Sequence, residues 1–307
     1  MAVLQQMVIF LLLIMAGIIA KKCGFITKEN EPQLTKIVVS IAYPALILSG
    51  VTGSGEHIRG HELLEAMAVI GGLLALLFIA AWLMPRILRY GRECYGIVNV
   101  MVIFTNIGFM GVPMIDGIYG KDALIYITLL LIPFNLLFYS YVIQAIRGGG
   151  ENPHRFKLGD LLNPGMISCV LAVLIYFLNI PIPYVARTAV VMLGSLTAPL
   201  AMMLMGAFLL ETDWSGILKD WRVWAFTFLK MIAVPACIVL LIEQFTDNIY
   251  LLAVCMATAA TPSGNVIPLL ASLYNKKAYP VSVQGVALTT LSAVFTMPIV
   301  SLLTGIG

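Results

Sequence analysis

The chain has 307 residues, of which 61% are hydrophobic and 11% are charged, and its formal net charge is +3 at pH 7. Soluble domains carry about 25% charged residues, so this composition excludes an ordinary soluble protein and indicates a polytopic membrane protein. The positive charge is too small and too scattered to indicate a nucleic-acid partner.

Ten apolar segments follow one another along the chain, each near the length of about 20 residues that a membrane-spanning helix needs. We predict spans over residues 3–20, 34–51, 63–84, 95–119, 122–146, 161–180, 188–210, 222–243, 248–272 and 279–304. The first segment has its basic residues after the apolar run, which is the reverse of a signal peptide. We therefore expect a retained first helix and an all-α fold.

The basic residues favour one orientation in the membrane. Fourteen of the 18 Lys and Arg residues lie in or beside the loops that follow odd-numbered spans, and three lie in loops that follow even-numbered spans. Cytoplasmic loops are enriched in Lys and Arg. We therefore expect cytoplasmic odd loops, two extracytoplasmic termini and a location in the plasma membrane.

The sequence is similar to itself at an offset of 155 residues. Ser40 and Pro44 then align with Ser195 and Pro199, where we predict helix kinks, and Pro113 aligns with a further proline in the ninth span. Five spans in each half place the second half in the membrane in the opposite sense, as in the inverted repeats of secondary transporters. Accidental self-similarity is the alternative.

This repeat predicts the organisation of the chain. The first five-helix repeat covers residues 1–146, a short cytoplasmic linker covers 147–160, and the second, inverted five-helix repeat covers 161–307. In an inverted repeat of this kind the substrate binds near the middle of the membrane, where the two halves meet.

Spans 4 and 9 are interrupted at corresponding places by residues that are poor helix formers. The fourth contains TNIGFMGVP and the ninth contains TPSGNVIP. Unpaired backbone is so costly in hydrocarbon that such breaks persist only where protein or a water-filled cavity shelters them. Paired breaks are the strongest sequence indication of a transporter's binding site. Ordinary helix kinks are the alternative.

The residue types in the breaks suit an anion. Pro113 and Pro268 fit the first turn of a half-helix, where free N–H groups and a partial positive charge attract anions. Asparagine amides add donors and acceptors, and glycines permit a close approach of the backbone. We predict that the substrate site contains Asn106, Gly108, Gly111, Pro113, Pro262, Ser263, Gly264, Asn265 and Pro268, with Asn135 of span 5 as a further polar residue. Helix–helix hydrogen bonding would explain Asn135 equally well.

Two charged residues lie near the predicted site. Lys230, within span 8, either offsets a substrate carboxylate or extends its ammonium group to the cytoplasmic end of its helix. Asp116, three residues after Pro113, is the candidate for ion or proton coupling, with an interfacial position as the alternative. The other acidic residues lie at loop edges, so the sequence does not support coupling through a buried pair of carboxylates.

Nothing in the sequence indicates an enzyme, a cofactor or a metal site. The three His residues, His57, His61 and His154, lie in loops, and the first two do not match the HExxH order of zinc enzymes. The five Cys residues form no CxxC pair. We therefore expect no catalytic activity, no cofactor and no metal.

Three stretches, LTKIVVSIAYPALILSG in span 2, NIGFMGVP in span 4 and PSGNVIPLLASLY in span 9, resemble the auxin efflux carrier family, especially its bacterial members. The resemblance covers nearly the whole chain and implies that spans 4 and 9 cross. It also implies a dimerising scaffold of spans 1, 2, 6 and 7, a transport domain of spans 3–5 and 8–10, and elevator-like movement.

Asn106 precedes Pro113 by seven residues, as in the plant members, whereas Pro262 and Asn265 depart from the plant pattern. These departures argue against auxin, and related bacterial chains are linked to small dicarboxylates such as malonate and malate.

The sequence thus predicts a secondary transporter of small organic anions in the lipid bilayer, with a homodimer implied by the resemblance. The membrane potential is worth about 2.3 kcal/mol per charge per 100 mV and drives anions out of a cell with a negative interior, which favours export. Ion- or proton-coupled uptake of a dicarboxylate and a passive anion channel are the alternatives.

Overall fold

The structure, a computed structural model, describes residues 2–50, 60–147, 164–212 and 214–306, and every regular element in these ranges is a helix. The α-helices are, in chain order, α1 (Ala2–Lys22), α2 (Glu31–Ile37), α3 (Tyr43–Gly50), α4 (Gly60–Ile87), α5 (Tyr95–Ile103), α6 (Val112–Tyr119), α7 (Leu124–Arg147), α8 (Pro164–Phe177), α9 (Tyr184–Ser195), α10 (Thr197–Glu211), α11 (Trp214–Lys219), α12 (Trp221–Phe228), α13 (Val234–Ile242), α14 (Ile249–Ala260), α15 (Val266–Tyr274) and α16 (Tyr279–Thr304).

Proline positions explain where several helices become irregular. Three π-helical turns in the described ranges each end two residues before a proline: Val38–Ala42 before Pro44, Ile107–Gly111 before Pro113 and Leu229–Ala233 before Pro235. Proline lacks the N–H of the helical ladder and its ring clashes with the carbonyl four residues earlier, and a wider π turn accommodates this defect. Pro199 is the third residue of α10, just after the interruption at Leu196.

Seven helical segments in the described chain are long and apolar enough to cross a membrane: Ala2–Lys22, Glu31–Gly50, Gly60–Ile87, Lys121–Arg147, Tyr184–Glu211, Trp221–Ile242 and Tyr279–Thr304. Shorter apolar helices, Ile107–Tyr119, Pro164–Phe177 and Ile249–Ala260, fall within predicted spans 4, 6 and 9. The prediction of an all-helical polytopic membrane protein is confirmed. Ten spans and an inverted repeat stay predictions.

The surface of the helices is apolar, as contact with lipid requires. Leu12, Trp82, Phe295 and Leu302, on three different helices, are 61%, 56%, 68% and 77% exposed. Soluble monomers rarely expose large contiguous apolar patches. A bilayer removes this cost, because lipid tails are as apolar as the side chains.

The helices that lead into the two breaks, α5 and α14, lie in the interior. Every residue of α14 from Leu251 to Ala260 is buried, and most residues of α5 are buried as well. Helices α4, α7 and α16 pack against α5, and α13 and α16 pack against α14. Irregular backbone is therefore surrounded by protein, the condition under which it persists at membrane depth.

Glycines allow α1 and α10 to approach at backbone distance. A Cβ atom at Gly17 would overlap the carbonyl oxygen of Met203, and a Cβ atom at Gly206 would overlap that of Ile14. Small residues are used in this way where transmembrane helices pack closely. The contact joins the first helix of the chain to a helix of its second half.

We expect Gly17→Ala to lower the free energy of unfolding by about 2 kcal/mol, because the added methyl group overpacks a backbone contact. The matched control is Gly71→Ala in α4, where a Cβ atom meets no other atom within 4 Å. Thermal unfolding of the purified protein in detergent would measure both. Equal unfolding temperatures for the two variants would contradict the close α1–α10 contact.

Candidate functional site

The interruptions of the fourth and ninth predicted spans are bonded to each other. The backbone N–H of Asn106 donates to the carbonyl oxygen of Pro262 at 2.7 Å, and the N–H of Gly264 donates to the carbonyl oxygen of Phe104 at 3.0 Å. Buried N–H and C=O groups need partners. Each break therefore supplies hydrogen-bond partners for backbone groups of the other break that have no partner within a helix.

An isolated antiparallel β-bridge pairs Thr105 with Ser263 between these two bonds. The hydroxyl of the buried Ser263 donates to the carbonyl oxygen of Met101 at 2.8 Å, and its backbone N–H donates to Oγ1 of Thr289 at 3.3 Å. Ser263 thus connects α5, the second break and α16 at one point.

The glycines of the breaks have different surroundings. A Cβ atom at Gly264 would lie 3.1 Å from the carbonyl oxygen of Phe104, and one at Gly108 would lie 3.2 Å from the ring of Tyr43. Gly111 packs within its own π turn, where a Cβ atom would lie 2.8 Å from a side chain of the same turn. Gly264 therefore permits the close crossing of the two chains.

A half-helix begins directly after each break. Asn106 is the N-cap of the π turn that leads into α6, and Asn265 is the N-cap of α15. Asparagine is a preferred N-cap because its side chain accepts from free backbone N–H groups, as Asn248 does at two such groups of α14. Neither Asn106 nor Asn265 forms a bond of this kind. Nδ2 of Asn265 donates to Sδ of Met205 at 3.4 Å, so one amide atom of each residue, Nδ2 of Asn106 and Oδ1 of Asn265, is left for another partner.

Four polar side chains around the crossing hold atoms without a hydrogen-bond partner among the described residues. They are Nδ2 of Asn106, Nδ2 of Asn135, Oδ1 of Asn265 and Oγ1 of Thr105. Asn106 and Thr105 are only 6% and 5% exposed. Buried polar atoms in proteins are normally hydrogen-bonded, so this cluster has the character of a binding site for a polar group.

The same four residues line one cavity of about 170 Å³. The ring of Phe104 packs edge-on against the rings of Phe134 and Phe138, with centroid distances of 5.3 Å in both pairs. The remaining lining is apolar or aromatic: Val39, Tyr43, Phe104, Ile107, Gly108, Phe109, Leu131, Phe134, Phe138, Gly165, Gly264 and Val266. This lining contains no Lys, Arg, Asp or Glu among the described residues.

A second cavity of about 510 Å³ shares three lining residues with the first, and Asn265 is one of them. Its lining also contains Lys28, Glu31 and Glu211. Both carboxylates pair with Lys21, at 2.8 and 2.9 Å. Asn265 therefore lies between the smaller cavity and a larger one with charged residues in its wall.

Pro113 and Pro268 lie close to the site but outside the lining of the smaller cavity. Pro113 is the second residue of α6, one π turn beyond the first break, whereas Pro268 is the third residue of α15. Proline near a helix N-terminus removes an N–H that has no partner there. The extra π turn explains why Asn106 precedes its proline by seven residues and Asn265 by three.

The two charged candidates also lie outside the cavity. Lys230 is fully buried, and its ammonium group donates to the carbonyl oxygens of Ala259 at 2.7 Å and Thr261 at 2.9 Å. It bonds to the end of α14 rather than extending to the end of its own helix. Asp116 pairs with Lys121 at 2.8 Å, with side chains 27% and 36% exposed, so the pair is partly exposed.

No group of three or more His, Cys, Asp or Glu in the described ranges is arranged to hold a metal ion. His57 and His154 lie outside the described residues, as does the predicted linker apart from Arg147. The statements made about them from the sequence stay predictions.

Sequence reasoning missed the aromatic wall and the contacts of Ser263 with other helices. Phe104, Phe134 and Phe138 are apolar residues in an apolar chain, so no pattern separates them from residues that face lipid. Thr289 lies in the stretch ALTTLS of the last helix. Hydroxyl groups within a span are the signal that could have indicated it, since they often bond across helices.

We expect Ser263→Ala to lower the free energy of unfolding by about 1–2 kcal/mol, because a buried hydroxyl bond between two broken spans is lost. Ser272→Ala is the matched control, since Ser272 is exposed and its hydroxyl donates to a carbonyl of its own helix. Thermal unfolding in detergent would compare the two. A Ser263→Ala protein as stable as the control would contradict the role assigned to this bond.

Comparison with known proteins identifies the family. The sequence profile of the family described as Membrane transport protein matches residues 2–157 and 153–301. An uncharacterized transporter of Methanothermobacter thermautotrophicus is 25% identical over 197 residues, which are 64% of this chain and 64% of that protein. An uncharacterized transporter of Methanocaldococcus jannaschii is 26% identical over 211 residues, or 66% and 68% of the two chains. The chain therefore belongs to the Membrane transport protein family, which confirms the resemblance to auxin efflux carriers, and it is a multi-pass membrane transporter.

Proposed function

We propose that the chain is a secondary carrier of small organic anions and that the anion binds at the crossing of the two broken spans. One observation carries this proposal. The N-cap asparagines of the two half-helices, Asn106 and Asn265, line the same cavity, and each holds an unpartnered amide atom instead of capping its own helix.

Helix N-termini would provide the attraction for a carboxylate. Each half-helix carries roughly half a positive charge at its N-terminus, and its first N–H groups have no intrahelical acceptor. The amide groups of Asn106 and Asn135 add side-chain donors. Since no Lys or Arg is among the described residues of the cavity wall, the positive charge that attracts the anion would come from the backbone N–H groups at the helix N-termini.

The aromatic wall favours an anion that carries an apolar body. Phe104, Phe134 and Phe138 would pack against such a body while its carboxylate bonds to the asparagines. A dicarboxylate such as malonate or malate is the alternative. Its second carboxylate would lack a cationic partner within the smaller cavity and would have to reach the larger cavity, where Lys28 lies.

The proposed architecture follows from the same crossing. Corresponding breaks that bond to each other support ten spans in two inverted repeats, over 1–146 and 161–307, joined by the linker 147–160. Membership of the family supports a dimerising scaffold of spans 1, 2, 6 and 7 and a transport domain of the other spans that moves like an elevator. We place the protein in the plasma membrane with both termini outside.

The proposed direction of transport is export without a coupling ion. The smaller cavity contains no acidic residue among its described lining, and Asp116 is paired with Lys121, so the coupling candidate has a partner outside the site. The membrane potential alone drives anions out of the cell. A carrier coupled to sodium or protons and a passive anion channel are the alternatives that the experiments below separate.

We expect Asn106→Ala and Asn265→Ala to raise the half-saturating concentration of the transported anion about 10- to 100-fold, because a hydrogen bond to a charged ligand is lost. Nδ2 of Asn106 would donate to the carboxylate directly, and Nδ2 of Asn265 would do so after leaving its contact with Sδ of Met205. Transport would be measured as current from purified protein in liposomes on a solid-supported membrane. The probes are jumps of malonate, malate, succinate and indole-3-acetate.

The control for these variants is Gln244→Ala, because Gln244 is exposed and its side chain donates to the carbonyl oxygen of Leu240, in the helix just before it. The proposal of a carrier is supported if the control variant gives a saturable current and the two asparagine variants lose it. Current that does not saturate indicates a channel, and currents unchanged in both asparagine variants contradict the site.

We expect efflux of the transported anion from liposomes to become faster when the lumen is made negative, and to be unaffected by replacing sodium with choline. A monovalent anion gains about 2.3 kcal/mol per 100 mV, and the proposed site binds no sodium. A potassium gradient with valinomycin sets the potential, and tracer release measures the flux. Flux that requires sodium or a proton gradient would contradict uncoupled export.

A further inference from the structure

Lys230 takes no part in the proposed anion site, and its position is unusual. It lies on the π turn Leu229–Ala233 in the segment Trp221–Ile242, is fully buried, and belongs to none of the ion pairs formed by the described residues. Ionisable residues at membrane depth are costly, and they are found where they serve a function.

The groups that hold Lys230 are backbone carbonyls at the second break. Ala259 is in the last turn of α14, and Thr261 is the first residue of the break. Carbonyl groups at a helix C-terminus lack intrahelical partners and lie at the negative end of the helix dipole. The hydroxyls of Thr258 and Thr261 donate to helical carbonyls, so the ammonium is the group that neutralises this helix end.

Carbonyl groups of this kind have a known use in transporters with broken helices. Unwound backbone carbonyls and the C-terminal ends of half-helices coordinate the sodium ion in ion-coupled carriers. In this chain a side-chain ammonium lies against such carbonyls at 2.7 and 2.9 Å. An ammonium group and a sodium ion carry the same charge.

We propose that the ammonium group of Lys230 is a built-in cation at the crossing, in the position where an ion-coupled carrier would bind sodium. The consequence of this cation for transport rests on the proposed function. A fixed cation at the crossing would explain why the carrier transports its substrate without a coupling ion. Because this cation is tethered to its helix, it cannot dissociate, and the end of α14 stays neutralised with or without substrate.

Cation rescue of a variant tests the proposal without a transport assay. Lys230→Ala removes the ammonium and leaves space beside the carbonyls of Ala259 and Thr261. Thermal unfolding would be compared in sodium, ethylammonium and choline chlorides of equal ionic strength. We expect the variant to unfold roughly 5 °C below the wild type in choline and to recover at least half of this loss in sodium or ethylammonium, while the wild type is unaffected by the choice of cation.

Two further variants separate charge from volume and hydrogen bonding. Lys230→Met fills the space and is expected to have a low unfolding temperature in all three salts. Lys230→Gln keeps N–H donors without the charge, and wild-type stability of this variant in choline would overturn the proposal. A Lys230→Ala protein that is as stable as the wild type in choline, or equally destabilised in all three salts, would overturn it as well.

Folding of the variant is itself informative. If Lys230→Ala is recovered as folded protein only when sodium or ethylammonium is present during purification, the result supports the proposal. If no folded protein is obtained with either cation, a free cation does not replace the ammonium and the proposal fails. Absence of anion transport by the wild type would refute the proposed function and would leave these unfolding temperatures unchanged.

Discussion

The reciprocal backbone bonds between the two broken spans are the interaction on which the rest of the structure depends. Asn106 donates to Pro262, and Gly264 donates to Phe104. A span that leaves the helical ladder at membrane depth exposes polar groups that neither lipid nor apolar side chains can satisfy. When two breaks meet, the polar backbone groups of each form hydrogen bonds with those of the other. A single break would need hydrogen-bond partners from other parts of the protein.

The position of the candidate site follows from this constraint. Once the breaks cross, the half-helices that continue from them begin at one place, and the N-cap residues of both line one cavity. Asn106 and Asn265 stand at those starts without capping them, and Thr105 and Asn135 add further unpartnered polar atoms. At the C-terminal end of α14, where the second break begins, Lys230 donates to the carbonyl oxygens of Ala259 and Thr261. The crossing thus separates a region suited to an anion from one that holds a fixed cation.

Much of this arrangement could be predicted from the sequence, and the reasons for the remainder are physical. Runs of apolar residues predicted the helices, and Gly, Pro and Asn in TNIGFMGVP and TPSGNVIP predicted the breaks, because these residues are unfavourable in a helix. The π turns before Pro44, Pro113 and Pro235 were not predicted. A proline shows where a helical hydrogen bond is missing, but it does not show whether the helix responds with a kink, a break or a π turn. The aromatic wall and the partners of Lys230 depend on which helix faces meet. In an almost uniformly apolar chain, the one-dimensional pattern carries little of that information.

The central claim is that one anion contacts both broken spans, and side-chain amide resonances test it most directly. Purified protein labelled with ¹⁵N-asparagine would be titrated with malonate, malate, succinate and indole-3-acetate, with resonances assigned by substitution. The account predicts that the transported anion shifts the side-chain amide signals of Asn106 and Asn265 together and with a single saturation curve, while that of the exposed Asn179 stays unchanged. A transported anion that leaves both signals unmoved, or moves only one of them, would contradict the account.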